Sequence, residues 1–149
     1  MHFTLPCDKI IDMVEIVYNR NCVYQTAYHM IWCAKYRKRI LTGEIAETLR
    51  LAINAICTER EWPILTLEIQ PDHIHLFVTI PPSLPVADAV KILKGSTARK
   101  LFAAFPELKD QLYGGHLWSP SYYVGTAGTV SAQTIRHYIE RTEHIKGRR

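Results

Sequence analysis

The chain has no Cys-x-x-Cys pair. Its four cysteines, Cys7, Cys22, Cys33 and Cys57, are scattered singly, which speaks against a zinc knuckle or a short-spaced disulfide framework and leaves reduced, mostly structural thiols as the expectation. No apolar run approaches the length of a membrane span, and Asp8, Asp12 and Glu15 interrupt the opening apolar stretch in a way that does not fit a secretory signal. There is no internal repeat and no low-complexity segment. Charge is not strongly of one sign: 18 Lys and Arg stand against 14 Asp and Glu, giving +4, a balance compatible with a polyanionic partner without requiring one. The sequence pI is near 8.9. What is present is enough for one real core, since 48% of 149 residues are hydrophobic. One compact, soluble, cytoplasmic domain is expected over residues 23–149, with residues 1–22 an irregular or helical N-terminal extension.

Hydrophobic patterning supplies the elements. Val23 to Ala34 is aromatic and β-branched and predicts a first strand, ending at the charged run Lys35-Tyr36-Arg37-Lys38-Arg39. Thr42 is placed to cap a helix to about Arg60, with Ile45, Leu49, Ala52, Ile53 and Ile56 along one face. Ile64–Ile69 and His73–Ile80 predict a hairpin joined by Gln70-Pro71-Asp72. Ser83 and Pro85 then open a second helix whose apolar side runs through Val86, Val90, Leu93, Thr97 and Leu101. That leaves Lys91, Lys94, Arg99 and Lys100 for solvent or phosphate. A further strand fits His116 to Val124, followed by a loop at Gly125–Gly128 and a last helix capped by Ser131, with Val130 and Ile135 as a hydrophobic staple and Tyr138 near Ile135, Ile139 and Thr142. The order β-α-β-β-α-β is that of an α+β, ferredoxin-like (RRM-like) antiparallel sheet with helices on one face, plus a C-terminal tyrosine-bearing helix; the other sheet face is expected to be free for a ligand.

Two features carry chemistry. Residues two apart on a strand share a face, so His73 and His75 stand side by side while Ile74, Leu76, Val78 and Ile80 point the other way, and two neutral imidazoles so placed can converge on one cation. Taken alone, a His-x-His strand is more often a pair of tolerated half-buried polar side chains. Tyr138 is the candidate nucleophile; taken alone, it is more often a helix residue whose ring packs on the sheet with its hydroxyl at the rim. Lys35, Arg37, Lys38 and Arg39, interleaved with Tyr36, have the composition of a phosphate grip with a base-stacking ring, and Lys94 and Arg99 offer a second basic patch; solvated surface is the bland reading of both.

Several blocks together resemble the single-tyrosine transposases of the IS200/IS605 type: Tyr28-His29-Met30-Ile31-Trp32-Cys33-Ala34-Lys35-Tyr36-Arg37-Lys38, Pro71-Asp72-His73-Ile74-His75-Leu76-Phe77, Leu93-Lys94-Gly95-Ser96-Thr97-Ala98-Arg99, Leu117-Trp118-Ser119-Pro120-Ser121-Tyr122-Tyr123 and Tyr138-Ile139-Glu140. They run in family order from about residue 23 to 142. The resemblance implies a homodimeric enzyme that binds single-stranded DNA with hairpins at insertion-sequence ends, then cuts and rejoins it through a 5′-phosphotyrosine. Tyr138 would be the nucleophile, often reaching the partner subunit's site, and His73 and His75 the ligands of a divalent metal, Mg²⁺ or Mn²⁺. The family commonly adds a glutamine one turn after the tyrosine. Here that position is Thr142, a shorter and poorer donor, while Glu143 lies about 100° around the helix.

Two rival readings stand beside this one. A non-catalytic single-stranded nucleic-acid-binding module accounts for the fold and the charge, because ferredoxin-like sheets with exposed aromatics stack bases. It does not account for the histidine pair followed by a tyrosine helix. A domesticated relative acting on repeated extragenic hairpins shares the chemistry and differs in its DNA target.

Overall fold

The computed structural model describes residues 16–126; the residues before and after, including the expected tyrosine helix with Tyr138, Thr142 and Glu143, lie outside it. Strands β1 (Val17–Tyr18), β2 (Val23–Tyr24), β3 (Tyr28–Cys33), β4 (Ile64–Gln70), β5 (His73–Val78) and β6 (Tyr123–Thr126) alternate with helices α1 (Gly43–Arg60), α2 (Val86–Ala104) and the short α3 (Leu108–Gln111). The main sheet has the order β4-β5-β3-β6, antiparallel throughout. This is the ferredoxin-like arrangement: each crossover helix leads from one strand to another with a third strand paired between them.

Alternation along the strands divides the sheet into two faces. Met30 and Trp32 from β3 and Ile74, Leu76 and Val78 from β5 join Leu49, Ile53, Leu93 and Leu101 of α1 and α2 in one buried cluster. At about 25 cal/mol per Å² of apolar surface, this shared burial is the main force fixing the helices on that face. Helix α1 begins after Thr42, as the sequence predicts, although the threonine side chain makes no capping bond; it stops at Glu61, which is left-handed at φ 59°. Helix α2 starts two residues later than expected, with Pro85 in place of Ser83 as the boundary residue.

Three expectations are corrected. The strand expected to run unbroken from Val23 to Ala34 is split, with Val23–Tyr24 pairing instead with Val17–Tyr18 in a separate two-stranded sheet, so residues read as irregular or helical are extended. Thr26 leaves the ladder and its hydroxyl donates to the Ile80 carbonyl. The strand expected at His116–Val124 shrinks to one bridge, Ala34 to Trp118, and to β6, with Pro120 lying between the two and unable to donate to a ladder. Gly125, expected in a loop, pairs with His29 inside β6. Finally, the face away from the helices is no bare platform: His29, Ile31, Cys33, His75 and Phe77 on it are all buried. Cys33 and Cys57 are buried free thiols, and burial pushes the Cys57 thiol up to about 11, the condition of an unreactive structural cysteine.

Candidate functional site

The histidines sit where β5 begins, just after the Pro71-Asp72 turn, on the face opposite the core. Both are buried, His73 at 5% and His75 at 1% exposure. Each ring commits its Nδ1 to a neighbour and turns its Nε2 toward the other ring. His73 Nδ1 lies 2.6 Å from Asp72 Oδ1, His75 Nδ1 lies 3.2 Å from His29 Nε2, and the two Nε2 atoms are 3.1 Å apart. Asp72 is in turn gripped by Arg37, whose Nε and Nη2 donate to Oδ2 at 3.0 and 2.6 Å. A string of contacts therefore runs Arg37, Asp72, His73, His75, His29.

The backbone explains how Arg37 arrives there. Tyr36 (φ 58°) and Arg37 (φ 50°) are consecutive non-glycine residues in the left-handed region, a conformation that costs on the order of 1–3 kcal/mol per residue and persists only where its surroundings fix it. The turn aims the guanidinium back at the Pro71-Asp72 turn, which β3 also reaches by Ala34 N–H donating to Asp72 O at 2.9 Å.

Charge follows from burial and pairing. Burial alone would raise the Asp72 carboxyl, but hydrogen bonds from His73 and Arg37 and the positive charge of Arg37 outweigh it and leave the group at about 2. Burial pushes His29 down to about 3, and His75 also to about 3, with His73 and His29 nearby adding to the effect on His75. His29 and His75 are thus neutral at physiological pH, the form in which an imidazole offers a lone pair without first losing a proton. Two imidazole Nε2 atoms that converge, each ring oriented through its far nitrogen, suit a divalent cation. Among the described residues no group of three His, Cys, Asp or Glu side chains converges to hold a metal.

Strand register adds residues that the sequence did not single out. Glu68 is the cross-strand partner of His75 and Gln70 that of His73, and Gln70 Nε2 donates to Glu68 Oε1 at 2.8 Å, so a polar pair flanks the histidines on the same face. His29 stacks on Phe77 with centroids 4.0 Å apart and meets the Tyr123 ring edge-on at 6.0 Å. Burial raises the Tyr123 hydroxyl pKa. The signal for His29 was present but faint: it is a polar residue in an otherwise apolar strand, on the same odd-numbered face as Ile31 and Cys33. Asp72 could have been found as the acid immediately preceding a candidate ligand.

The candidate DNA-contacting residues separate. Lys35, Tyr36, Arg37 and Lys38 are half-buried and Arg39 is exposed, all at the end of β3 near His73, whose strand partner is Cys33. Lys94 and Arg99 belong to α2, in the helix layer across the sheet from the histidines. Arg99 is exposed. Lys94 is half-buried: its Nζ donates to Ser119 O at 2.7 Å and lies 5.9 Å from the Tyr122 ring centre, and burial lowers its pKa. Trp118 Nε1 donates to Lys94 O at 3.1 Å and to Thr97 Oγ1 at 3.0 Å, so this cluster ties α2 to the segment entering β6.

Fold and site together define an α+β, ferredoxin-like protein with a paired-histidine centre on the sheet face opposite its helices. The family model described as "Transposase IS200 like" matches residues 22–142. The ISDra2 transposase TnpA of Deinococcus radiodurans is 41% identical over 137 residues, 92% of this chain and 97% of that protein. The transposase for insertion sequence element IS200 of Salmonella typhimurium is 31% identical over 116 residues, 76% of each chain. This chain therefore belongs to the IS200-like transposase family, and it is a DNA-cleaving and strand-transferring enzyme of the tyrosine type. Among solved structures, a crystal structure of a protein from D. radiodurans R1 superposes with a TM-score of 0.75 at 41% identity, covering 85% of this chain and 97% of its own. A REP-associated tyrosine transposase bound to a REP hairpin gives a TM-score of 0.51 at 19% identity, covering 86% of this chain and 73% of its own, a likeness of fold.

Proposed function

We propose that the enzyme cleaves and rejoins single-stranded DNA at insertion-sequence ends, with His73 and His75 holding a divalent metal, Mg²⁺ or Mn²⁺, and Tyr138 as nucleophile. The observation that carries the reading is the convergence of the two Nε2 atoms at 3.1 Å, with both Nδ1 atoms already engaged, in a chain of this family. The donor set fits such an ion, and Mn²⁺ accepts imidazole more readily than Mg²⁺ does. Bound there, the cation supplies Lewis-acid withdrawal of charge from the scissile phosphate.

The chain's own residues do the rest. The Tyr138 phenolic oxygen attacks phosphorus, a P–O bond to the 3′ oxygen breaks, and that oxygen leaves as a 3′-hydroxyl once protonated. The 5′-phosphotyrosine keeps the bond energy, so a 3′-hydroxyl attacking the same phosphorus rejoins strands by the reverse path. Lys35, Tyr36, Lys38 and Arg39 lie at the end of β3 beside the histidines, where they are suited to grip the strand, and Arg99 offers a more distant phosphate contact. Arg37 donates to Asp72 and Lys94 to the Ser119 carbonyl, so their role toward DNA is indirect in this reading. A hairpin-bearing strand is the proposed substrate, in keeping with the REP-associated neighbour solved on a REP hairpin. The working unit is proposed to be a homodimer in the cytoplasm; no helix among the described residues is long and apolar enough to cross a membrane.

The test uses labelled single-stranded element ends with Mn²⁺. The wild type should form a covalent adduct on denaturing gels, Tyr138→Phe should form none, and His73→Ala and His75→Ala should lose cleavage while keeping the oligomeric state. Full cleavage by both histidine variants would remove the metal assignment. A persistent adduct in Tyr138→Phe would remove the nucleophile, and DNA binding without any adduct in the wild type would favour a non-catalytic module.

A further inference from the structure

We infer that His29 is a positioning residue that sets which nitrogen of His75 carries a proton and so decides whether His75 can ligate. The inference rests on the metal-site reading above. His29 is fully buried on β3, and its Nε2 meets His75 at Nδ1, on the far side of the ring from the Nε2 that faces His73. From there His29 cannot share an ion with His75 Nε2; the three rings form a string and not a cage.

Protons along the string can be counted. When the His73 ring is neutral and its Nδ1–H donates to the Asp72 carboxylate, its Nε2 is bare. With His73 in that form and no cation, the 3.1 Å contact between the Nε2 atoms needs a proton on His75 Nε2, and the His75 Nδ1 then accepts from His29 Nε2–H. For His75 Nε2 to ligate, its proton must sit on Nδ1 and be donated to His29 Nε2, with the proton of His29 on its own Nδ1. His75 and His29 together hold two protons in both states, so nothing is gained or lost. What the exchange requires of residue 29 is a group able to donate or accept at one place without changing charge. Imidazole does this by tautomerism and a primary amide by rotation. A phenyl ring does neither, although it preserves the stack on Phe77 at 4.0 Å.

The experiment measures Mn²⁺ affinity of the full chain by electron paramagnetic resonance, without DNA, alongside thermal stability in chelator. His29→Phe should bind Mn²⁺ about tenfold or more weakly, within the range typical of lost outer-shell partners, and His29→Gln should recover most of that affinity. Imidazole nitrogen-15 spectra of the wild type with Zn²⁺, a diamagnetic stand-in, should place the His75 proton on Nδ1. Unchanged Mn²⁺ affinity in His29→Phe, no recovery in His29→Gln when both variants are as stable as wild type in chelator, or a bare Nδ1 in the Zn²⁺ form would each overturn the inference. His73→Ala and His75→Ala separate the two levels: if they lose Mn²⁺ while His29→Phe keeps it, only the role of His29 fails, whereas if they keep it the site reading fails and the inference with it.

Discussion

His29 and His75 resist protonation when folded and accept it when unfolded, so their effect on stability has a definite sign. Both stand near 3 in the fold against an ordinary 6.5, and the unfolded chain therefore binds more protons between those values. Stability of the metal-free protein is fully present above pH 6.5 and falls as pH drops toward 3, with a slope of about 1.4 kcal/mol per pH unit for each histidine that takes up its proton. Asp72, at about 2 against an ordinary 3.8, adds stability that is present above pH 3.8 and lost as pH falls through 2. Urea melts in chelator at pH 8, 6, 5 and 4 should trace the first window, and His29→Phe should flatten the slope there by about one proton; an unchanged slope would contradict the burial argument. Arg37 gives a second test at this scale. Its pair with Asp72 is largely shielded, with side chains 15% and 8% exposed, so Arg37→Ala leaves an under-partnered carboxylate and should cost about 1–3 kcal/mol in urea melts. A loss below about 0.5 kcal/mol would mean that solvent replaces the guanidinium freely.

At the level of elements, the Trp118 indole is the pin between α2 and the segment entering β6. Trp118→Phe keeps most of the apolar contact but deletes the donor to Lys94 O and Thr97 Oγ1, and should destabilise by about 1–3 kcal/mol in denaturant melts. At the end of α1, Glu61 holds a left-handed φ of 59°, a position where glycine relieves strain; Glu61→Gly should raise stability by up to about 1 kcal/mol, and a clear loss would show that its side chain contributes more than its backbone costs. The same elements show how far patterning carries. Helices α1 and α2 were legible because their apolar positions repeat at helical spacing over about three and four turns, and β5 because it is a short apolar run that opens on alternating histidines. The strand expected at His116–Val124 was misjudged because aromatic content reads as β-propensity, whereas Pro120 and the bonds from Lys94 and Trp118 fix that stretch as a loop.

For the whole molecule, a net charge of +4 is modest, so DNA affinity depends on where the cations lie. If Lys35, Lys38, Arg39 and Arg99 each meet one phosphate of a single strand, the logarithm of affinity should fall with the logarithm of salt at a slope of roughly −3, and Lys38→Ala should reduce its steepness by about 0.7. Fluorescence anisotropy across a salt series measures both. A slope near zero would mean that these cations meet no phosphates, and an unchanged slope in Lys38→Ala would place the strand away from Lys38.

Read as a string of letters, the chain determined its class of fold, the helix faces and the shared face of His73 and His75, because each depends on spacing along one element. Only tertiary structure decided what those histidines touch. His29 reaches His75, and Arg37 reaches the neighbouring Asp72, through the β3–β5 register and a left-handed turn, contacts 46 and 35 residues apart in sequence that no local period encodes. Burial follows from the same assembly, and burial is what lowers the pKa values of His29 and His75.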